Sequence, residues 1–363
     1  MGLKCGIVGL PNVGKSTLFN ALTSSQIAAA ANFPFCTIEP NSGIVNVPDE
    51  RLTKLAAISG SAKIIPTAIE FVDIAGLVKG ASKGDGLGNK FLSHIREVDA
   101  ILHVLRCFEN DDVVHVHGKV DPIYDAEIIE TELILADLES IEKRLKSSKK
   151  KSADQSSKTI NEILEQAYSL LDSGKPVRLL SGTVDPKLLS SLQLITSKPV
   201  LYICNVSEQD ASGGNDYTKL IEEKALKENA KSLFISSKIE EEIAQLTSIE
   251  DKNDFLDSLD LTETGLSKII KEAYLLLNLQ SYFTVGPKEA RAWTIPVGMN
   301  AANSAGVIHT DFEKGFIRAE VISYSDYINL GGEAKAKEMG KMRLEGKEYI
   351  VQDGDVMHFR FNV

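Results

Sequence analysis

The chain has 363 residues, of which 43% are hydrophobic and 25% charged, and its formal net charge is −11 at pH 7. This length predicts two or three domains, and the composition is that of an ordinary globular protein. The acidic balance argues against a protein that coats nucleic acid, because phosphate neutralisation needs clustered lysine and arginine. A local basic patch is still compatible with this net charge.

The four cysteines form no C-x-x-C pair, so the sequence predicts neither a zinc site nor a disulfide framework. The chain enters a strand pattern without a signal peptide, and no apolar stretch approaches the length of a membrane span. We therefore expect a cytoplasmic protein with no membrane partner.

The first motif, residues 9–16, reads Gly-Leu-Pro-Asn-Val-Gly-Lys-Ser and fits the phosphate-loop pattern G-x-x-x-x-G-K-S/T. A strand pattern precedes it and a helical pattern follows, which is the order that aims backbone N–H groups and a helix N-terminus at phosphates. Lys15 would bring its charge to the β- and γ-phosphates, and the Ser16 hydroxyl would ligate Mg²⁺. The predicted nucleotide contacts of this motif are Asn12, Val13, Gly14, Lys15, Ser16 and Thr17.

Two further motifs complete a predicted Mg²⁺ site. Thr37 lies in a proline-containing segment and is predicted to ligate Mg²⁺ and to sense the γ-phosphate. Asp73 ends a strand pattern, where an acidic residue holds Mg²⁺, usually through water. The amide of Gly76, three residues later, can approach the γ-phosphate because glycine has no side chain.

A glycine-rich segment follows and is typical of a switch that nucleotide orders. Leu77 stands where Ras-type enzymes carry the glutamine that orients the attacking water, and an aliphatic side chain cannot do this. Two substitutes stay open: His115 could swing towards the γ-phosphate, or Asn12 could help to hold a K⁺ ion there. Residues 80–92 resemble the Obg-type branch of translation-factor-like GTPases.

The middle of the chain changes pattern. Apolar residues at spacings of three and four before and after a Ser/Lys-rich stretch at 146–158 predict an antiparallel coiled-coil hairpin. A basic cluster, Lys143-Arg144-Lys146 with Lys149-Lys150-Lys151, is either a contact for RNA or an acidic surface, or a solvated helix end.

After the hairpin, a buried strand delivers Asn205-Val206-Ser207-Glu208, where a GTPase would have Asn-Lys-x-Asp. Glu208 is one methylene longer than the aspartate that reads guanine, and adenine offers that carboxylate no N1–H or 2-amino group. Asn205 and nearby backbone groups could instead meet the 6-amino group of adenine. The motif thus predicts a preference for ATP over GTP, against the alternative of an unspecific nucleotidase. The predicted base-side contacts are Asn205, Val206, Glu208, Ser236 and Ser237.

The C-terminal residues predict a small β-grasp module. Residues 292–295, 305–308, 349–351 and 356–361 have strand patterns, and 311–321 a helical one. Residues 309–318 resemble the corresponding segment of the TGS domain.

Taken together, the phosphate loop, glycine-rich switch, inserted hairpin, Asn-Val-Ser-Glu and C-terminal module resemble the YchF group of the Obg-like ATPase family along essentially the whole chain. The fold expected is an α/β P-loop NTPase sheet with an inserted antiparallel coiled-coil hairpin and a C-terminal β-grasp (TGS) domain. The expected boundaries are 1–125 with 198–279 for the nucleotide-binding domain, 126–197 for the hairpin and 280–363 for the TGS domain.

The resemblance implies an ATPase associated with the ribosome, either the large subunit or the assembled 70S particle, and with translation or stress control. It also implies a monomer that contacts the ribosome, and RNA, through the hairpin and the TGS domain. The residues alone predict a Mg²⁺-dependent P-loop nucleotidase with two appended modules. Two classes stay open: a slow hydrolase whose nucleotide switches its affinity for a large partner, or a binding module in which turnover is incidental.

Overall fold

A computed structural model gives the fold and describes residues 3–24, 41–74, 87–110, 115–116, 118–148 and 155–362. The strands, in chain order, are β1 Lys4–Val8, β2 Ser42–Asn46, β3 Ile64–Ile65, β4 Ala68–Asp73, β5 Ala100–Arg106, β6 Val200–Asn205, β7 Lys231–Ile235, β8 Leu279–Val285, β9 Ala290–Pro296, β10 Phe316–Ile322, β11 Arg343–Glu345 and β12 Val356–Phe361.

The helices between them vary widely in length. In chain order they are α1 Lys15–Ser24, α2 Glu50–Ser59, α3 Leu87–Glu97, α4 Pro122–Ser148, α5 Gln155–Asp172, α6 Pro186–Ser191, α7 Asp216–Lys227, α8 Ser237–Gln245, α9 Ile249–Ser258, α10 Gly265–Leu276, α11 Ala301–Ile308, α12 Thr310–Lys314, α13 Tyr324–Leu330 and α14 Glu333–Glu338.

The contacts divide the chain into two compact units. The first consists of Met1–Val45 and Glu70–Ile269 and the second of Asn46–Ile69 and Ile270–Val363. The predicted boundaries differ from this division, because they assigned residues 46–69 and 270–279 to the nucleotide-binding domain. The reason is packing: α2 buries Leu52 and Leu55 in a core shared with Phe283 and Ile322, which are distant in sequence.

The first unit is built on a sheet with the strand order β2-β4-β1-β5-β6-β7. The pairs β4–β1, β1–β5, β5–β6 and β6–β7 are parallel. Every residue of β5 and β6 is buried, as expected for central parallel strands covered on both faces. The carboxyl ends of parallel strands meet at one edge of a sheet, which brings together the last residues of β1, β4 and β6.

The predicted helical hairpin is present as α4 and α5, which follow β5 and precede β6 in the chain. The two helices share a core that includes Ile134, Ile141, Ile163 and Ala167. These residues lie seven apart in α4 and four apart in α5, which are helical spacings, and this is why the sequence pattern located the two helices correctly.

The second unit contains a mixed sheet with the order β11-β10-β12-β8-β9-β3. The pairs β10–β11, β10–β12 and β8–β9 are antiparallel, whereas β12–β8 and β3–β9 are parallel. One apolar core includes α2 and α13 residues, and a second core includes residues of α11. Strands and helices of this unit therefore bury both faces of the sheet.

Several local predictions in the second unit are wrong. Residues 305–308, predicted as a strand, end helix α11, whose first turn is capped by the Asn300 side chain accepting from Asn303 N at 2.9 Å. The predicted helix 311–321 divides into α12 and β10 around Gly315. Residues 349–351 contribute only the isolated bridge between Asn300 and Ile350. The strands predicted at 292–295 and 356–361 are confirmed as β9 and β12.

Candidate nucleotide-binding site

The phosphate loop joins β1 to α1 in a conformation that only glycine allows at two positions. A Cβ atom on Gly9 would lie 2.5 Å from the Val104 carbonyl oxygen. Gly14 has φ +97°, and a Cβ atom there would lie 2.4 Å from Nδ2 of Asn205. Any side chain at either position would therefore push the loop away from the strands that support it.

Asn205, the last residue of β6, holds the loop to a second loop. Its Nδ2 donates to the Val13 carbonyl at 3.0 Å, and its Oδ1 accepts from the Ser237 amide at 2.9 Å. Both polar ends of the amide are thus engaged by backbone groups, in a side chain that is 5% exposed. Asn205 connects the phosphate loop to the start of α8.

Lys15 and Asp73 form the electrostatic centre of the site. The Lys15 ammonium donates to the Leu10 carbonyl at 2.7 Å. Burial lowers the pKa of Lys15, and the nearby Asp73 carboxylate opposes this shift. Burial raises the pKa of Asp73, and Lys15 opposes that shift in turn. Each group therefore favours the charged form of the other in a partly water-excluded position.

The donors around Asp73 fit a hard divalent cation. Oδ1 of Asp73 is buried and has no hydrogen-bond partner among the described residues, although a buried carboxylate oxygen normally has one. Ser16 is exposed in the first turn of α1, where its hydroxyl is accessible. Carboxylate and hydroxyl oxygens of this kind are what Mg²⁺ takes, together with water and phosphate.

The base-side residues lie on the loops that follow β6 and β7. Val206, Ser236 and Ser237 are buried, and Ser237 Oγ has no hydrogen-bond partner among the described residues. The Glu208 carboxylate is paired with the Lys238 ammonium, and both side chains are largely exposed. Lys238 is not among the base-side contacts predicted from the sequence. Opposite charges on the two base-side loops were the signal that could have singled out this pair.

His115 is located away from solvent, beside the first turn of α4. Its Nε2 lies 2.9 Å from Oδ2 of Asp125, and the two side chains are 6% and 0% exposed. The ring is thus oriented by a buried carboxylate, and its catalytic role stays a prediction. Thr37, Gly76 and Leu77 lie outside the described residues.

A phosphate loop between a parallel strand and a helix, with an acidic residue at the end of the adjacent strand, defines a P-loop nucleotide-binding protein. A family model described as "50S ribosome-binding GTPase" matches residues 4–129. The C-terminal YchF GTPase model, described as "Protein of unknown function (DUF933)", matches residues 279–362.

The chain belongs to the YchF family. It is 56% identical to a Bacillus subtilis protein called "Ribosome-binding ATPase YchF" and 54% identical to its namesake from Escherichia coli O157:H7, with 100% of each chain covered. Among solved structures, the Schizosaccharomyces pombe YchF GTPase superposes with a TM-score of 0.88 at 40% identity, covering 99% of this chain and 98% of that one. None of the helices in the described ranges has the length and apolar character needed to cross a membrane.

Proposed function

We propose that this protein is a Mg²⁺-dependent ATPase that hydrolyses ATP to ADP and acts as a nucleotide-regulated, ribosome-associated factor in translation or stress control. The observation that carries the proposal is the geometry of the phosphate loop: Gly9 and Gly14 leave no room for a Cβ atom, and the Lys15 ammonium donates to the Leu10 carbonyl of the same loop. Full-length relatives named as ribosome-binding ATPases support the choice of ATP and of the ribosome.

Different residues of the site would bind the phosphates, the metal ion and the base. Lys15 neutralises charge on the β- and γ-phosphates, while the loop amides from Asn12 to Thr17 bind phosphate oxygens. Ser16 and Thr37 would hold Mg²⁺ directly and Asp73 through water, and Gly76 would contact the γ-phosphate. The bound Mg²⁺ supplies charge neutralisation between the phosphates. The base would be surrounded by Val206, Glu208, Ser236 and Ser237. Asn205 fixes the loops that carry these residues to the phosphate loop.

Turnover without a partner should be slow. Leu77 cannot orient water, so the attacking water depends on another group: His115, or a K⁺ ion that Asn12 helps to hold. The hydrogen bond between His115 and Asp125 gives the imidazole ring a defined position. That bond would have to break before the ring could reach the γ-phosphate.

The second candidate is a nucleotide-dependent binding module in which hydrolysis is incidental. The aliphatic Leu77 favours it, because the chain lacks the usual group that activates water. A third reading, a GTPase or unspecific nucleotidase, is favoured by the carboxylate of Glu208, which can accept hydrogen bonds from guanine.

The ribosome-binding surfaces proposed are the inserted hairpin, at 126–197, and the TGS domain, at 280–363. The lysines near the hairpin tip supply positive charge to a chain that is otherwise acidic and suit ribosomal RNA. We propose a monomer that works in the cytoplasm, where ribosomes and ATP are found together.

Lys15→Ala tests the proposal. The variant should lose ATP binding by at least about 100-fold, because nothing else in the loop supplies that charge. Isothermal titration with ATP and Mg²⁺ measures this, and co-sedimentation with ribosomes in the presence of ATP measures the partner. Lys54→Ala, which removes an exposed lysine of α2, is the control. ATP binding in Lys15→Ala equal to that of the wild type would rule out this site.

A further inference from the structure

The pair formed by Glu208 and Lys238 is the feature that the proposed function leaves unexplained. Glu208 follows β6 by three residues, and Lys238 is the second residue of α8. Its ammonium donates to Oε1 of Glu208. The pair therefore joins the same two loops that Asn205 joins more deeply in the protein.

The pair contributes little to folding. The two side chains are 66% and 45% exposed, and ion pairs this exposed rarely stabilise a protein measurably. What the pair changes is the chemistry of the base-side loops. The hydrogen bond from Lys238 lowers the pKa of Glu208. The carboxylate is ionised at neutral pH with or without this bond, and an ionised carboxylate can only accept hydrogen bonds.

The two purines differ in what they require at this edge. Guanine presents N1–H and a 2-amino group, both donors, and an unpaired carboxylate would accept from both. Adenine presents N1 as an acceptor and the 6-amino group as a donor, so an unpaired carboxylate would repel its N1. A lysine ammonium has three donors; one is used on Glu208, and the exposed position leaves the others accessible.

We propose that Lys238 is a specificity-determining residue: paired with Glu208, it donates to N1 of adenine and withholds the Glu208 carboxylate from guanine. The side-chain amide of Asn205 is engaged by Val13 and Ser237, so its donor and its acceptor are already used within the protein. The inference rests on the proposed nucleotide site and adds the residue that selects adenine.

The test compares ATP with 1-deaza-ATP, in which N1 is replaced by C–H. The full-length protein is titrated with each nucleotide and with GTP, in the presence of Mg²⁺, as wild type and as Lys238→Met, which keeps most of the aliphatic stem. Lys219→Met is the matched control, because Lys219 is also exposed and paired with an acidic residue, Asp216, in the same unit. Thermal midpoints verify that each variant is folded.

Wild type and Lys219→Met should bind 1-deaza-ATP at least about tenfold more weakly than ATP, as expected for the loss of one hydrogen bond to a charged donor. Lys238→Met should bind the two alike and shift the ratio of ATP to GTP affinity towards GTP. Equal affinities for ATP and 1-deaza-ATP in the wild type, or undiminished discrimination in Lys238→Met, would overturn the inference while leaving the phosphate site intact. Failure of the wild type to bind ATP at all would overturn the proposed function as well.

Discussion

At the scale of single residues, the site depends on side chains whose partners are backbone groups. Asn205 was expected from the sequence to meet the adenine base, but in the structure its amide joins Val13 to Ser237. Sequence patterns give the residue type at a motif position. They do not give its partners, because these come from loops after other strands.

Replacing Asn205 separates the two roles. If the role of Asn205 is to join the two loops, Asn205→Ala leaves the buried Val13 carbonyl and Ser237 amide unpaired. The free energy of unfolding should then fall by about 1–3 kcal/mol. ATP and GTP should then be weakened by the same factor. Thermal or urea unfolding and nucleotide titration measure both effects, with the exposed Asn20→Ala as control. A stable variant with an altered ATP-to-GTP ratio would show instead that Asn205 reads the base.

His103 makes stability depend on pH. It lies fully inside β5 with its ring centroid 5.5 Å from that of Tyr202. Burial, then the positive charges of Lys224, Arg178 and Lys15, lower its pKa from 6.5 to about 3. Below pH 6.5, His103 binds a proton in the unfolded chain but not in the folded chain. Its contribution to stability is therefore fully present above pH 6.5 and is lost as the pH falls towards 3.

Between pH 7 and pH 5 this effect should remove about 2 kcal/mol from the free energy of unfolding. His103→Phe should lose less stability over the same interval, because phenylalanine takes up no proton. The comparison is the difference between thermal midpoints at the two pH values, with His94→Leu on the exposed side of α3 as control. An equal decrease in wild type and His103→Phe would contradict the assignment.

At the scale of elements, an ion cluster attaches the helical hairpin to the nucleotide-binding sheet. Arg178, in a short 3-10 turn after α5, lies 2.6 Å from both Glu130 of α4 and Glu228 at the end of α7. Lys224 pairs with the same two carboxylates, and the Tyr202 hydroxyl of β6 donates to Glu228 at 2.7 Å. The two positive and two negative charges balance in a position where all four side chains are at most 13% exposed.

Arg178→Met should therefore be severely destabilising. It leaves two nearly buried carboxylates with a single cation, and breaking such a cluster costs about 3–5 kcal/mol. Hydrogen exchange should accelerate in α4 and α5 before it does in β5 and β6. Lys143→Met, which breaks an exposed pair on α4, should change stability by less than about 1 kcal/mol. Unchanged exchange in the hairpin of Arg178→Met would mean that the cluster does not hold it.

The elements that the sequence predicted well are those with local signals. The strand–loop–helix order around Lys15 and the periodic helices α4 and α5 needed no knowledge of distant residues. The wrong predictions concern 305–308 and 311–321, where short apolar runs fit either a strand or a helix. There the outcome is decided by caps at Asn300 and His309 and by the pairing of β10 with β12.

At the scale of the whole molecule, the contacts join segments that the chain order separates. Residues 46–69 lie between motifs of the nucleotide site in sequence, yet their helix α2 belongs to the core of the C-terminal unit. The apolar residues of α2 carry no local information about which distant apolar face covers them. For the same reason the predicted domain boundaries differ from the two compact units of the structure.

The central claim is that this protein is an ATPase whose hydrolysis is linked to the ribosome, and single-turnover hydrolysis tests it most directly. Radiolabelled ATP or GTP is bound to excess protein with Mg²⁺, and phosphate release is followed alone, with each ribosomal subunit, and with assembled ribosomes. We expect slow hydrolysis of ATP alone, at least about a tenfold acceleration by ribosomal particles, equivalent to about 1.4 kcal/mol of barrier, and no hydrolysis by Lys15→Ala. An ATP rate that ribosomal particles leave unchanged, or faster hydrolysis of GTP than of ATP, would contradict the account.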